Sequence, residues 1–258
     1  MIKCWHICGD LHGNLSRLYH LKFDNPEEHG IIILGDFGLN YYLDESENFK
    51  KQSLNNKGFK VYAVRGNHEM RPKEVFGMTK VFDPDVGGEV YLQYDYPNIR
   101  YFDNYGEYMI NNLRTLVIGG AYSVDKYYRL SAGFRWFRNE QLNEAERTEC
   151  AEIASRGSYD LVLSHTCPYS WRPTDLFLST IDQTTVDNTM EIWMNSLKNN
   201  CDWKVWCFGH YHDDRWIRRS EKHDVFMFYR EIVYLNELFT GLNEETILTD
   251  DPKVNYPV

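Results

Sequence analysis

Apolar residues in this chain fall into short runs that stop abruptly at Gly, Asp, Asn or His. Lys3–Cys8 reads as a first strand and Leu15–Leu21 as a helix after it. Ile31-Ile32-Ile33-Leu34 ends at Gly35, the mark of a strand buried on both faces. Lys60–Val64 ends at Arg65-Gly66, and Thr115–Ile118 at Gly119-Gly120. Leu161–Leu163 and Lys204–Phe208 end at Ser164-His165 and Gly209-His210. Asn139–Ala154 reads as one helix, and Val186, Met190, Trp193, Met194 and Leu197 mark the core face of another. The stretch 90–118 is β-rich with expected turns at Pro97-Asn98 and Tyr105-Gly106, and Arg215–Leu235 alternates like a hairpin. Two packed sheets flanked by helices fit this order better than one open parallel sheet. No repeat, low-complexity tract or linker interrupts it, so residues 1–240 are expected to form one domain and the polar 241–258 a loose tail.

Composition narrows the class. The 258 residues are 43% hydrophobic and 26% charged, which is globular rather than disordered. The net charge of −10 does not attract long polyanions, so any phosphate affinity must be local. The interrupted start, Met1–Cys8, and the lack of a long apolar run predict neither a secretory leader nor a membrane span. Six cysteines without paired or knuckle spacing predict reduced thiols and a cytoplasmic setting. No obligatory protein partner is implied.

The chemistry lies where the strands end. Ligands in α/β sheets bind beyond the carboxyl ends of the strands, so residues distant in sequence can converge there. Five such ends carry metal-type donors: Asp10-Leu11-His12, Asp36, Asn67-His68-Glu69, His165, and His210-Tyr211-His212. Asp10, His12, Asp36, Asn67, His165, His210 and His212 offer seven ligands. That is too many for one tetrahedral site and suits two ions sharing a carboxylate. The mixed carboxylate, imidazole and amide set favours divalent Mn²⁺, with Fe²⁺, Zn²⁺ or Ni²⁺ as alternatives.

The order of these motifs, from residue 7 to residue 212, resembles the calcineurin-like metallophosphoesterase superfamily. The resemblance implies a four-layer α/β/β/α sandwich and a dinuclear hydrolase of phosphoesters working through a metal-bridging hydroxide. It implies Asp10, His12 and His212 at one ion, Asn67, His165 and His210 at the other, and Asp36 between them. His68 resembles the acid that protonates the leaving group. Ser/Thr protein phosphatases, the alternative reading, carry Gly-Asp-x-x-Asp-Arg-Gly at the second motif, where this chain has Gly35-Asp36-Phe37-Gly38-Leu39-Asn40. Ile118-Gly119-Gly120-Ala121-Tyr122 and Leu163-Ser164-His165 are similar to segments of RNA lariat debranching enzymes, which carry Cys where Asp10 stands. That favours a phosphodiesterase, acting on a nucleotide or a nucleic-acid end. Arg65, Tyr122, Lys126 and Arg129 are the candidate substrate contacts, and the stretch Thr166–Thr185, which holds Trp171 and Arg172, is a candidate lid or base-stacking loop. Glu69 reads as a structural residue at a helix start. His6, His20, His29 and His223 match no motif.

Overall fold

The computed structural model describes residues 1–220 and 223–240, so the expected tail at 241–258 lies outside it. In chain order, β1 (Cys4–Cys8), β2 (His29–Ile33), β3 (Lys60–Ala63), β4 (Thr79–Asp83), β5 (Gly88–Leu92) and β6 (Ile99–Tyr101) belong to one sheet. Strands β7 (Tyr105–Ile110), β8 (Leu113–Ile118), β9 (Ser158–Ser164), β10 (Asp202–Phe208), β11 (Arg215–Ser220) and β12 (His223–Met227) form a second. The chain then returns to the first sheet as β13 (Ile232–Tyr234), antiparallel to β1. The orders are β13-β1-β2-β3-β6-β5-β4 and β11-β12-β10-β9-β8-β7. At the heart of each sheet four parallel neighbours, β1-β2-β3-β6 and β8-β9-β10-β12, point their carboxyl ends the same way.

Alternation along these strands builds the layers. Trp5, Ile7, Ile32, Leu34 and Tyr62 of the first sheet meet Val117, Leu161, Leu163, Val205 and Cys207 of the second in one buried core. The intervening Ile31, Ile33, Val61 and Ala63 face outward onto α1 (Ser16–His20) and α2 (Glu45–Asn55) through Leu18 and Leu54. Leu116, Ile118, Val162 and Trp206 face outward onto Cys150, Met190 and Met194. Those three lie on α4 (Glu144–Ala154) and α5 (Thr189–Asn200), which follow the short α3 (Lys126–Ala132). The result is the expected four-layer α/β/β/α sandwich, and it explains why the central strands are apolar on both faces.

Local boundaries move for local reasons. The helix expected from Asn139 begins at Glu144, because the Asn143 side chain accepts from the Glu146 amide while Glu146 reaches back in a capping box. The turn expected at Tyr105-Gly106 is instead inside β7; the chain reverses at Asn111-Asn112, both at positive φ (53° and 61°). The hairpin expected over Arg215–Leu235 is correct only for β11–β12, since β13 crosses to the other sheet. All six cysteines are free. No helix among the described residues is long and apolar enough to cross a membrane.

Leu163 sits fully buried between the sheets. Leu163→Ala is expected to lower stability by about 2–5 kcal/mol in urea denaturation, since both sheets leave little room to close the cavity.

Candidate metal centre

Both sheets deliver polar side chains to one point. Asp10 follows β1, Asp36 follows β2, Asn67 and His68 follow β3, His165 follows β9, and His210 and His212 follow β10. Backbone hydrogen bonds hold the loops in register: His12 N donates to Asp36 O at 2.7 Å, and Gly120 N to Arg65 O at 2.7 Å. Side chains cross between the loops as well. His68 N donates to Asp36 Oδ1 at 2.8 Å, and His210 N to Asp10 Oδ1 at 2.9 Å.

The space among the loops is tight. A Cβ on Gly66 would stand 2.0 Å from Asp36 Oδ1, and one on Gly209 would stand 2.3 Å from Asp10 Oδ1. The glycines therefore admit the carboxylates of other motifs. His12, Asp36, His210 and His212 all adopt positive φ, at 46°, 43°, 71° and 56°. Left-handed backbone costs non-glycine residues energy and concentrates at functional sites.

The donor set fits divalent ions by its own chemistry. Asp10 Oδ2 is buried and has no hydrogen-bond partner among the described residues. It lies 3.4 Å from His212 Nε2 and 3.8 Å from His12 Nε2. His12 Nε2 and His212 Nε2 face each other at 2.9 Å. His165 places Nδ1 2.7 Å from Leu34 O, which only accepts, so Nδ1 carries the proton. Its Nε2 faces Asn67 Oδ1 at 2.8 Å and Asp36 Oδ2 at 3.6 Å. Facing acceptor atoms of this kind need a proton or a metal ion between them. Asp10, His12 and His212 form one such set, and Asp10, Asp36 and His165 another, the donor atoms of each all within 4.8 Å. Asp36 Oδ2 is also 3.9 Å from His12 Nε2, so it faces both sides of the centre. The His210 ring lies 5.0 Å from that of His165.

Without an ion, protons do the cation's work. Burial opposes the charge on His165, but Asp36 and then Asp10 raise its pKa to about 9. Burial likewise opposes the charge of Asp36, and His68 and His165 overcome it and hold the carboxyl well below its usual range. Burial takes His210 down to about 3, with the His165 charge adding to the effect.

The candidate substrate contacts separate. Arg65 is not among the residues facing the site: it is 1% exposed, and its guanidinium donates to Asn104 Oδ1 (2.9 Å) and to the carbonyls of Gly66 (3.0 Å) and Glu140 (2.7 Å). Its role is to brace the loops, through carbonyls rather than a salt bridge. Arg129, on α3, does reach the site, with Nη2 3.4 Å from His68 Nε2. Asp125 and the Tyr41 hydroxyl hold it there. Lys126 Nζ lies 4.2 Å above the Trp136 ring, and Tyr122 is buried. Trp171 cannot serve as a lid or stacking platform, since it is buried edge-on against Trp203 and Trp206. Arg172 stacks on Tyr169, 3.6 Å from the ring centroid. Glu69 begins no helix; its buried carboxylate accepts from Phe37 N at 2.7 Å and Gly66 N at 3.4 Å, joining the second and third motifs. Burial, then Asp36, raises its pKa to about 8. Sequence reasoning missed Ser123 and Glu140, because an isolated Ser and Glu carry no spacing signal. His6, one of the unmatched histidines, is buried and lies 2.9 Å from His29.

A model of the calcineurin-like phosphoesterase family matches residues 6–214, so the chain belongs to that family and is a metal-dependent hydrolase of phosphoester bonds. Among solved structures it is similar to a dimetal phosphatase from Danio rerio, at TM-score 0.52 and 11% identity over 91% of this chain and 93% of that one. It is also similar to the phosphopantetheinyl hydrolase of Mycobacterium tuberculosis, at TM-score 0.48 and 14% identity over 98% of each chain. The zebrafish likeness shows the same fold. No curated protein sequence matches the chain.

Two outcomes are expected. Arg65→Ala should lower stability by about 3–5 kcal/mol in denaturant titration, because buried carbonyls lose their donors; an effect confined to KM would restore a phosphate contact. Metal uptake at pH 7 should release protons, because an ion must displace the proton on His165. Affinity should therefore weaken as pH falls below about 9. Calorimetry in buffers of different ionisation enthalpy reads both.

Proposed function

We propose that the chain is a dinuclear phosphodiesterase in which Asp10, His12 and His212 hold one divalent ion, Asn67, His165 and His210 the other, and Asp36 both. The observation that carries this reading is the convergence of ligand-type atoms from both sheets: Asp10 Oδ2, which has no hydrogen-bond partner among the described residues, the facing Nε2 atoms of His12 and His212, and the facing Nε2 and Oδ1 atoms of His165 and Asn67. Mn²⁺ suits this oxygen and imidazole set. When bound, two such ions neutralise phosphoryl oxygens and make water acidic enough to attack near neutral pH.

The chain's own residues supply the rest. His68 stands 3.8 Å from Asp36 Oδ2 and half-buried, so its ring lies beside the reacting phosphoryl group. It donates the proton to the departing oxygen. Burial holds its pKa down near 4, with the Arg129 charge pushing the same way against the pull of Asp36. A phosphoryl anion arriving beside it raises that pKa again, so the donor becomes charged with substrate in place.

Two observations favour diesters over phosphoprotein monoesters. Leu39 and Asn40 stand where protein phosphatases carry their Asp-Arg pair, and both are buried. The Asn40 side chain is engaged by Lys51 at 3.2 Å. Arg129 is then the guanidinium facing the acid, and a monoanionic diester needs less charge compensation than a dianionic monoester. The exposed Tyr127 and Tyr128 beside Arg129 give room for a nucleoside on the leaving side.

Asp36→Asn should reduce the bound divalent ions from about two per chain at both positions, measured by elemental analysis; a folded, fully loaded wild-type protein with one ion would sink the dinuclear reading. His68→Asn should keep the metals and lose about 10²–10⁴-fold in rate, less with a phenolate leaving group. In the wild type the pH at which rate falls on the alkaline side should be higher for kcat than for kcat/KM, because substrate raises the donor's pKa. Arg129→Ala should cost more kcat/KM with a nitrophenyl monoester than with a nitrophenyl diester. A clear preference of the wild type for a phosphopeptide would return the protein-phosphatase reading to first place.

A further inference from the structure

The Asn67 amide does not choose its own orientation. Its Nδ2 donates to Ser123 Oγ at 2.9 Å. Ser123 Oγ donates to Glu140 Oε2 at 2.5 Å, and Ser123 N to Glu140 Oε1 at 3.1 Å. Trp136 Nε1 donates to the same Oε2 at 2.8 Å. Asn67, Ser123 and Glu140 are each 1–2% exposed, so water does not compete. Three donors converge on Glu140, which is the pattern of an ionised, acceptor-only carboxylate.

We infer that Ser123 and Glu140 are positioning residues for the second ion, holding the Asn67 amide with its oxygen, and not its nitrogen, toward the metal. The argument is one of hydrogen-bond direction. Ser123 Oγ has one proton; Glu140 takes it, leaving only lone pairs for Asn67. Asn67 must then turn NH₂ toward Ser123 and Oδ1 toward His165. An amide in place of the carboxylate still offers an oxygen to Trp136 Nε1 and Ser123 Oγ but no charge, so the Ser123 proton is held less firmly. Ser123 Oγ is then freer to donate to Asn67 Oδ1, which turns the Asn67 NH₂ into the metal space, where it cannot ligate. The relay also reaches the substrate side: Trp136, the third donor to Glu140, carries the Lys126 ammonium on its ring face, and the α3 that holds Arg129 begins at Lys126. The inference rests on the assignment of Asn67 to the second ion.

Wild type, Glu140→Gln, Ser123→Ala, Asn67→Ala and the double variant Asn67→Ala with Glu140→Gln would be titrated with Mn²⁺ alone. Calorimetry and the paramagnetic resonance signal of the Mn²⁺ pair report the two affinities separately. Glu140→Gln should leave the first ion unchanged and weaken the second about 10–100-fold, as loss of an outer-shell partner does. Ser123→Ala should weaken it in the same direction, and it serves where Glu140→Gln does not fold. In the Asn67→Ala background Glu140→Gln should add no further loss, since the relay acts only through that amide. Equal second-ion affinity in Glu140→Gln and wild type, or an undiminished loss in the Asn67→Ala background, would overturn the relay while leaving the metal centre standing. Wild-type protein that binds fewer than two ions would overturn the metal-centre reading and the relay with it.

Discussion

Two carboxylates, Asp10 and Asp36, stand about 1% exposed where the ends of two sheets meet. Burying charge without compensation is costly enough to unfold an ordinary domain, so the surroundings of these groups are constrained more strictly than any other part of the molecule. The cations that answer them come from the opposite sheet as well as their own: His165 and His212 follow strands of the second sheet, Asp10 and Asp36 strands of the first. The centre is therefore also the clasp between the sheets. His165 Nδ1 on Leu34 O and His210 N on Asp10 Oδ1 are inter-sheet bonds made by candidate ligands. Family membership fits this arrangement, because a phosphoesterase needs concentrated positive charge in a protein whose net charge is −10.

The same constraint explains where the backbone is strained. Four candidate ligands sit at positive φ, and the glycines beside them give up a side chain so that a carboxylate from another motif can pass. Local conformational preference is spent at one edge of the fold, and the continuous core between the sheets supplies the stability that tolerates it. Arg65 and Glu69 belong to that support. Arg65 ties carbonyls of three loops, and Glu69 collects the amides of the second and third motifs. Both lie in the Arg-Gly-Asn-His-Glu run, so one short motif supplies a candidate ligand, a candidate proton donor and two braces.

Arg65 and Trp171 show where reading from the sequence goes astray. A cationic residue beside a ligand motif suggests a phosphate contact, and an aromatic-basic pair after His165 suggests a stacking loop. Neither inference contains burial. Arg65 is enclosed because β3 lies inside its sheet and the Gly119-Gly120 backbone closes over it; Trp171 is enclosed because β10 brings Trp203 and Trp206 against it. Arg129 shows the converse. Its sequence context was weaker, yet a seven-residue helix with no buried residue turns it onto His68.

The chain's own pattern determined the central strands, their doubly buried character, two packed sheets flanked by helices and the five loop ends that carry metal-type side chains. Those properties are local: a run of β-branched residues followed by Gly and a polar ligand has one physical reading wherever it occurs. Tertiary structure alone decided which polar residues face one another. It placed β13 in the first sheet, separated Arg129 from Arg65, and ran Asn67 through Ser123 to Glu140. Those outcomes depend on register and on which faces are covered, and residues dozens of positions apart carry no mutual signal in a single sequence.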